Sequence, residues 1–504
     1  MMKRYLLGID IGSGGCKVSL LDADSGQTSK KALEYQTHYP HGGWAEQDAN
    51  DWVKSAGVLI KKLLNECEVS PSDVHAVGIG GVTHSPVLLD KAKRPIRRTI
   101  HLTDARSYSQ AARLRESARD IFLKKCGNAV DVMWTISMLS WVKDNEPENW
   151  SRIQSIIFPK DYVRLRLTGS TVTDTIDAQG TLLYNVYESR WDESLLALIS
   201  LQPGMLPETV HPTEVVGEVT AEGERWSGLK AGTKVICGTT DTLLELIASG
   251  VSKPGDCTVK LATFGRICVL SDRPVADEKL ITYSYIKDGL WYPGTGTRSF
   301  ASSLRWFRDQ FCRDISDSRD VFQIMEKEAN GVTVGCEGLI FHPYLQGEGS
   351  PYNDPDLRGD FIGLSLHHGR AHLIRAVMEG TAFSLLDSYT YLKERKIDAH
   401  EPVRFIGGGT QSKLWLTIVA DVLGMDGVKP RATDPSIGAA MLAGVGIKVF
   451  KSVEEAQKCV KGDTETIVHS KENSARYREI FASYRKSTGL LKDIYHKLSR
   501  FSVV

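Results

Sequence analysis

The chain has 504 residues, with 62 Lys and Arg balanced by 62 Asp and Glu, and 41% of its residues are hydrophobic. That length holds more than one core. The balanced charge leaves no basic stripe for nucleic acid and no acidic tail. Nine cysteines, an odd number, include no C-x-x-C pair; buried thiols in a reducing compartment are expected, without disulfides or a zinc site. The opening MMKRYLLGIDIG reaches an acid too soon for a signal peptide. The longest apolar stretch, SIGAAMLAGVGIKVF (436–450), is too short and glycine-rich to span a bilayer. A soluble cytoplasmic protein with no membrane or nucleic-acid partner is the expectation.

Strand-like runs alternate with helical ones throughout, which predicts an α/β architecture. LLGIDIG (6–12) and KVSLLD (17–22) flank a glycine turn, and both have strand composition, so the stretch reads as a hairpin. A Walker loop needs G-x-x-x-x-G-K-[ST], and a dinucleotide fold needs G-x-G-x-x-G leading into a helix. Neither fits here. Glycines let the turn aim successive amides at one point, which makes a nest for an anion. Asp10 beside it repels a phosphate directly but holds one through Mg²⁺ and its water shell. A carboxylate capping local amides is the plainer alternative.

GIGGVTHSPVLLD (78–90) puts His84 at a strand end, where an isolated histidine is more often structural than a ligand. HLTDARS (101–107) sets Asp104 and Arg106 two apart, facing one side of an extended chain or forming a solvated pair. ICGTTDTLLELIASG (236–250) reads as strand, turn, helix, with Asp241 at the helix start. Asp241 is either an N-cap or a base at a strand tip, where α/β proteins place their sites. SGVSKPGD (249–256) is a loop and a candidate domain boundary.

CTVKLATFGRICVLSD (257–272) lays over DIGSGGCKVSLLD with Ile11 on Leu261, Ser13 on Thr263, Gly15 on Gly265, Val18 on Cys268 and Asp22 on Asp272. Two related halves follow from this, each opening with strand, small-residue turn and strand. VRFIGGGTQSKLWLTIVADVLG (403–424) is again strand, glycine turn, helix. Its three glycines let a flat ligand lie against the backbone at a helix N-terminus, and their entropic cost argues for a use beyond a tight turn. ATDPSIGAAMLAG (432–444) starts a helix with Asp434 as N-cap and Pro435 next; its small residues suit close packing. Tyr477, Phe481, Tyr484, Leu491 and Ile494 predict a closing amphipathic helix over 473–499. No H-E-x-x-H, nucleophile elbow or His/Cys cluster is present.

GDFIGLSLHHGRAHLIRAVMEG (359–380) carries Gly359, Phe361, Gly363, Leu364, His372, Leu373, Ala376 and Glu379. It resembles the C-terminal signature of the FGGY carbohydrate kinases, a branch of the actin-like, duplicated ribonuclease-H-like ATPases. TISMLSWVKDN (135–145) is a looser match to the earlier signature, with Trp141 in place and Met138 where a lysine is usual. GGWAEQDANDW (42–52), FPKDYVRLRLTG (158–169), DTIDA (174–178), PYLQGEGSP (343–351) and FIGGG (405–409) look like the xylulokinase branch.

The resemblance runs from Gly8 to about Gly446. It implies two domains: 1–248 with the sugar site and first phosphate loop, and 249–504 with the nucleotide site and closing helix. It implies an ATP- and Mg²⁺-dependent kinase for a ketopentose such as D-xylulose. Asp10 falls at the Mg²⁺-phosphate position. Gly12, Ser13, Gly14 and Lys17 fall in the first phosphate loop, Thr263 and Gly265 in the second. Gly408, Gly409 and Ser412 lie by the adenine. Thr83, His84 and Asp104 fall at the sugar, and Asp241 on the catalytic base that touches it. Three departures stand out: Val82-Thr83-His84 for Gln-Met-His, Leu102 for a tryptophan, and Leu261-Ala262-Thr263-Phe264-Gly265 for Leu-Gly-Thr-Ser-Gly. The first two alter the sugar pocket, so a tetritol, a hexulose or an aldonate is the alternative substrate; the third crowds the phosphate loop. A switching actin-like ATPase and a sugar sensor are the readings from other classes, and a homodimer is left open.

Overall fold

The N-terminal hairpin forms as its composition predicts. In the computed structural model, which describes residues 4–315, 318–462 and 464–501, β1 (Tyr5–Ile11) and β2 (Gly15–Asp22) run antiparallel from Tyr5↔Asp22 to Ile11↔Cys16. β1 is buried on both faces beyond Tyr5, as a central strand with an apolar run should be. β3 (Thr28–Glu34) pairs with β2, and β4 (Val74–Gly81) runs parallel to β1. β5 (Val215–Glu218) and β6 (Lys234–Ile236) complete the order β3-β2-β1-β4-β6-β5, and the short β7 (Thr239–Thr240) also pairs with β4.

The second half repeats the plan. β8 (Cys257–Leu261) and β9 (Gly265–Val269) are antiparallel and close at Leu261↔Gly265. With β10 (Gly294–Gly296), β11 (Val403–Ile406), β12 (Gly427–Lys429) and β13 (Glu465–Ile467) they give the order β10-β9-β8-β11-β12-β13. Position by position, parallel and antiparallel pairings match those of the first sheet. The hairpin overlay in the sequence is therefore an overlay of two whole sheets, and the duplicated α/β class is the observed one.

Five helices matter for the site: α1 (Asp241–Ala248), α2 (Arg370–Glu394), α3 (Lys413–Leu423), α4 (Pro435–Gly446) and α5 (Lys471–Ser499). Asp434 caps α4 by accepting from the Ser436 N–H at 3.1 Å, with Pro435 next, as read from the sequence. α4 belongs to the second half of the chain but lies on the first sheet. A Cβ on Gly8 of β1 would stand 1.8 Å from the Ser436 carbonyl oxygen, and one on Gly78 of β4 2.1 Å from that of Ala439. One on Gly438 would stand 2.2 Å from the Leu244 oxygen of α1. The small residues of α4 serve this backbone-on-backbone contact. One core accordingly joins Leu6, Leu244, Ala440 and Phe450 with Cys268, Tyr283 and Tyr292. A division at 248/249 separates the two sheets but not this core.

α5 closes the molecule with Tyr477, Tyr484 and Tyr495 buried, while Ile494 is 49% exposed. The expected stripe is corrected there. Tyr495 lies about five full turns beyond Tyr477, so it shares that face, and Ile494 is rotated roughly 100° away. All nine cysteines are free. Among the described residues no helix is long and apolar enough to cross a membrane.

The α4 contact leaves no room for a side chain at Gly8. Gly8→Ala should destabilise by about 3 kcal/mol or more, because its Cβ meets backbone that cannot rotate away. Urea unfolding of the variant against wild type measures this; an unchanged midpoint would mean that α4 shifts freely.

Candidate active site

The first hairpin turn faces a cleft of about 430 Å³ lined by Asp10, Gly12, Lys17, Asp241, Glu245 and, from the second hairpin, Lys260. Asp10 ends the buried β1 and is itself 1% exposed. Lys17 stands opposite it across the hairpin, with Nζ 3.6 Å from Oδ2. Oδ1 is buried and has no hydrogen-bond partner. Asp10 accepts no loop amide, so capping is not its role. Burial pushes its carboxyl up to about 7; Lys17 pulls it down, and the charges of Asp241 and Asp434 push it further up.

The first turn is prepared for an anion. Its carbonyls are tied back: the Tyr35 hydroxyl donates to Gly12, Gln47 Nε2 to Ser13 at 2.7 Å, and the Tyr35 N–H to Gly14 at 3.3 Å. The N–H groups of Ser13 and Gly14 donate to nothing among the described residues. A side chain at Gly14 would meet nothing within 4 Å. The turn thus presents two exposed amides whose neighbouring carbonyls are bonded away.

Asp241 is delivered by β7 and opens α1. The N-cap is Thr240, not Asp241: Thr240 has extended backbone and accepts from the Leu243 N–H at 3.3 Å. That frees the carboxylate of Asp241. Its Oδ1 accepts from the Thr242 N–H at 2.6 Å and the Thr242 hydroxyl at 3.3 Å, and Oδ2 takes no donor among the described residues.

In the second turn Thr263 is exposed. Its Oγ1 accepts from Arg305 Nη2 at 2.8 Å, and the Gly265 N–H donates to Thr297 Oγ1 at 3.1 Å. Phe264, in the same turn, is 50% exposed. At β11, Cβ atoms on Gly407 and Gly409 would lie 2.6 Å and 2.8 Å from Leu261, and Gly407 has φ +91°. Packing against the end of β8 thus explains two of the three glycines. Gly408 has nothing within 4 Å and is the one that offers open backbone. Ser412 caps α3, accepting from the Trp415 N–H at 3.2 Å.

His84 is buried with φ +73°. Nδ1–H donates to the Gly180 carbonyl at 2.9 Å. Nε2 is then the acceptor, with the Tyr283 hydroxyl at 3.3 Å, and Trp134 packs edge-on at 4.7 Å. Burial lowers its pKa to about 4, and the positive charge of Arg266 adds to this. Thr83 reaches the same Tyr283 hydroxyl. Asp104 is not half of a solvated pair. Arg106 Nε lies 2.9 Å from both its oxygens and Nη2 2.7 Å from Oδ2, and the Ala45 N–H donates at 2.6 Å. Arg106 is itself buried over the Trp44 ring at 3.8 Å. The Asp104 carboxylate is filled by protein donors and holds its turn in place.

Three functional groups escaped the sequence reading. Lys260 Nζ pairs with Glu245 at 2.7 Å, and Arg266 Nη1 donates to Thr242 Oγ1 at 3.3 Å. The signal was present: the overlay of Ile11 on Leu261 also sets Asp10 on Lys260, and both Lys260 and Arg266 are charges in otherwise apolar strands. Outside the cleft, Glu337, His367 and His368 converge on the surface. His368 Nδ1 accepts the Ser365 N–H at 3.1 Å, which leaves Nε2 protonated and closed to a metal.

Comparison with known proteins matches residues 5–248 to the N-terminal domain, and residues 263–447 to the C-terminal domain, of the FGGY family of carbohydrate kinases. The chain is 30% identical to a xylulose kinase of Lactococcus lactis over 99% of both chains. It is 26% identical to a gluconokinase of Bacillus subtilis over 99% of this chain and 98% of that one. The crystal structure of xylulose kinase from Rhodospirillum rubrum superimposes with a TM-score of 0.89 at 26% identity, covering 98% of this chain and 100% of that one. With two matched domains, a full-length relative and the duplicated sheets, the chain belongs to the FGGY family of carbohydrate kinases and has its actin-like two-domain fold.

Proposed function

We propose that this protein transfers the γ-phosphoryl group of ATP to a hydroxyl of an open-chain sugar, with Asp241 as the base. The observation that carries it is the meeting in one cleft of an uncapped carboxylate at a strand tip, Asp241, with the Asp10 turn. Residues 1–248 supply the sugar site and first phosphate loop, and 249–504 the nucleotide side, with Thr263, Gly265 and Gly408 facing ATP. Phosphoryl transfer has a loose transition state, so positioning and charge neutralisation dominate. Asp241 orients the accepting hydroxyl and takes its proton late. The free amides of Ser13 and Gly14, with Lys17, hold phosphoryl oxygens. Asp104 keeps the 101–106 turn against the pocket, acting as a positioning residue.

Asp10 fits a divalent cation: a buried carboxylate oxygen without a donor is what a hard cation takes. Bound Mg²⁺ would neutralise charge on the nucleotide's phosphates.

Two substrates are in view. The xylulose kinase relatives support a ketopentose such as D-xylulose. The gluconokinase relative, of nearly equal length, and the altered Val82-Thr83-His84 support an aldonate.

Asp241→Asn keeps size but cannot take the proton, so sugar-dependent ADP release should fall by roughly two or more orders of magnitude. ADP affinity and thermal midpoint should stay near wild type; a fully active variant removes Asp241 from the base role. His84 gives a pH signature. Its pKa is lowered from 6.5 to about 4, so the folded state binds fewer protons in that window. Its stabilisation is complete above 6.5 and is lost as pH falls towards 4, on the order of 3 kcal/mol across the window. The stability gap between wild type and His84→Gln should therefore narrow in urea melts at about pH 5 relative to about pH 7; a constant gap would refute the buried neutral imidazole.

A further inference from the structure

The cleft is lined by four acids, Asp10, Glu34, Asp241 and Glu245, and two cations, Lys17 and Lys260; a third cation, Arg266, stands behind Asp241 and reaches Thr242. Lys17 is paired with Asp10 at 3.6 Å and Lys260 with Glu245 at 2.7 Å. Among the described residues Arg266 and Asp241 are in no ion pair. The Thr242 hydroxyl stands between them, accepting from Arg266 Nη1 at 3.3 Å and lying 3.3 Å from Asp241 Oδ1. Arg266 Nη2 is buried and has no acceptor at all.

A guanidinium with a dry, unpartnered nitrogen is costly to hold. It persists where a ligand supplies the missing anion, and its planar fork suits a carboxylate or a phosphate. The surroundings discriminate between these. The charge of Arg266 acts on Tyr283, Tyr292 and His84. Tyr283 touches Thr83 and His84 and stacks on Tyr292 at 5.7 Å, whose hydroxyl lies 3.5 Å from Thr240 Oγ1. These are the sugar-side residues and the neighbour of the base. The phosphate side already has Lys17 and the two turn amides.

We propose that Arg266 binds a carboxylate of the sugar, which makes the substrate an aldonate, a straight-chain polyhydroxy acid. This rests on the kinase reading above and decides between its two substrates. Arg266 is a specificity residue that touches substrate away from the reacting hydroxyl.

The test is ADP release with Mg-ATP from wild type, Arg266→Leu and Arg266→Lys. The acceptors are five- and six-carbon aldonates, D-gluconate among them, against D-xylulose and other neutral ketoses and polyols. Calorimetric binding of the same acceptors and of ADP runs alongside. Wild type should prefer an aldonate. Arg266→Leu should lower kcat/KM for it about a hundredfold or more, mainly through KM, with residual turnover of neutral sugars and ADP affinity little changed. Arg266→Lys, which keeps the charge, should recover part of the loss and guards against a folding defect. Turnover of neutral sugars alone overturns the proposal and leaves the kinase reading intact. An equal fall for every acceptor with weakened ADP binding also overturns it, assigning Arg266 to the phosphates. If nothing is phosphorylated yet an aldonate binds wild type and not Arg266→Leu, the carboxylate contact stands and the kinase reading falls. If nothing is phosphorylated and no aldonate binds, both fall.

Discussion

The molecule depends on one contact without side chains: the backbone of α4 lying directly on β1, β4 and α1. At Gly8, Gly78 and Gly438 any Cβ would strike a carbonyl oxygen across this contact, and the Ser19 and Ser436 hydroxyls bond beside them at 2.6 Å. The contact welds a helix from the end of the chain to the first sheet. It thereby fixes β1, which ends in Asp10, relative to α1, which begins with Asp241. Asp10 and Asp241 are thus parts of one close-packed body. Interiors packed this tightly transmit displacement rather than absorb it. On the proposed function, closure over a nucleotide would move the second sheet against this wall.

A second, polar device delivers the base. Lys160 is fully buried with its Nζ 2.5 Å from Asp161, 2.9 Å from Asp174 and 3.2 Å from Asp177. Arg164 joins Asp161 at 2.9 Å. Three carboxyls face two cations here, and burial pushes the Asp177 carboxyl well above the usual carboxylate range, against the pull of Lys160. Asp174 accepts from the Thr239 hydroxyl at 2.8 Å. Thr239 begins β7, Thr240 caps α1, and Asp241 follows. The buried charges therefore set the short strand that aims the base. This gives a physical use to FPKDYVRLRLTG and DTIDA, two stretches whose likeness to the family carried no assigned role.

What was legible in the sequence was local or repeated. Alternation and glycines marked both hairpins, and one overlay of short segments foretold two sheets of matching order. Asp434 was placed correctly because a cap and a proline act on the residues beside them. Asp241 was open between an N-cap and a base, and only the extended backbone of Thr240, which makes Thr240 the cap, removes the first. The triple glycine misled in part, since the partner that explains Gly407 and Gly409 is Leu261, far away in sequence. For Asp104 a solvated pair stayed open as the alternative because nothing local announces that Arg106 is sandwiched by Trp44 and Trp141. Long-range packing is what composition does not carry.

The same limit explains how the pocket is assembled. Tyr283 and Tyr292 belong to the second half, yet they sit in the first core and reach Thr83, His84 and Thr240. Arg266 follows the second phosphate turn and reaches the helix of the base. Side chains of the second half thus stand among Thr83, His84 and Thr242 of the first. The segment that carries them is continuous with the second turn through β9 and β10, and a close-packed interior passes a displacement on rather than absorbing it. On the proposed function, a ligand that orders this turn would therefore also set Arg266 and Tyr283 for the other substrate, the condition under which water is the poorer acceptor.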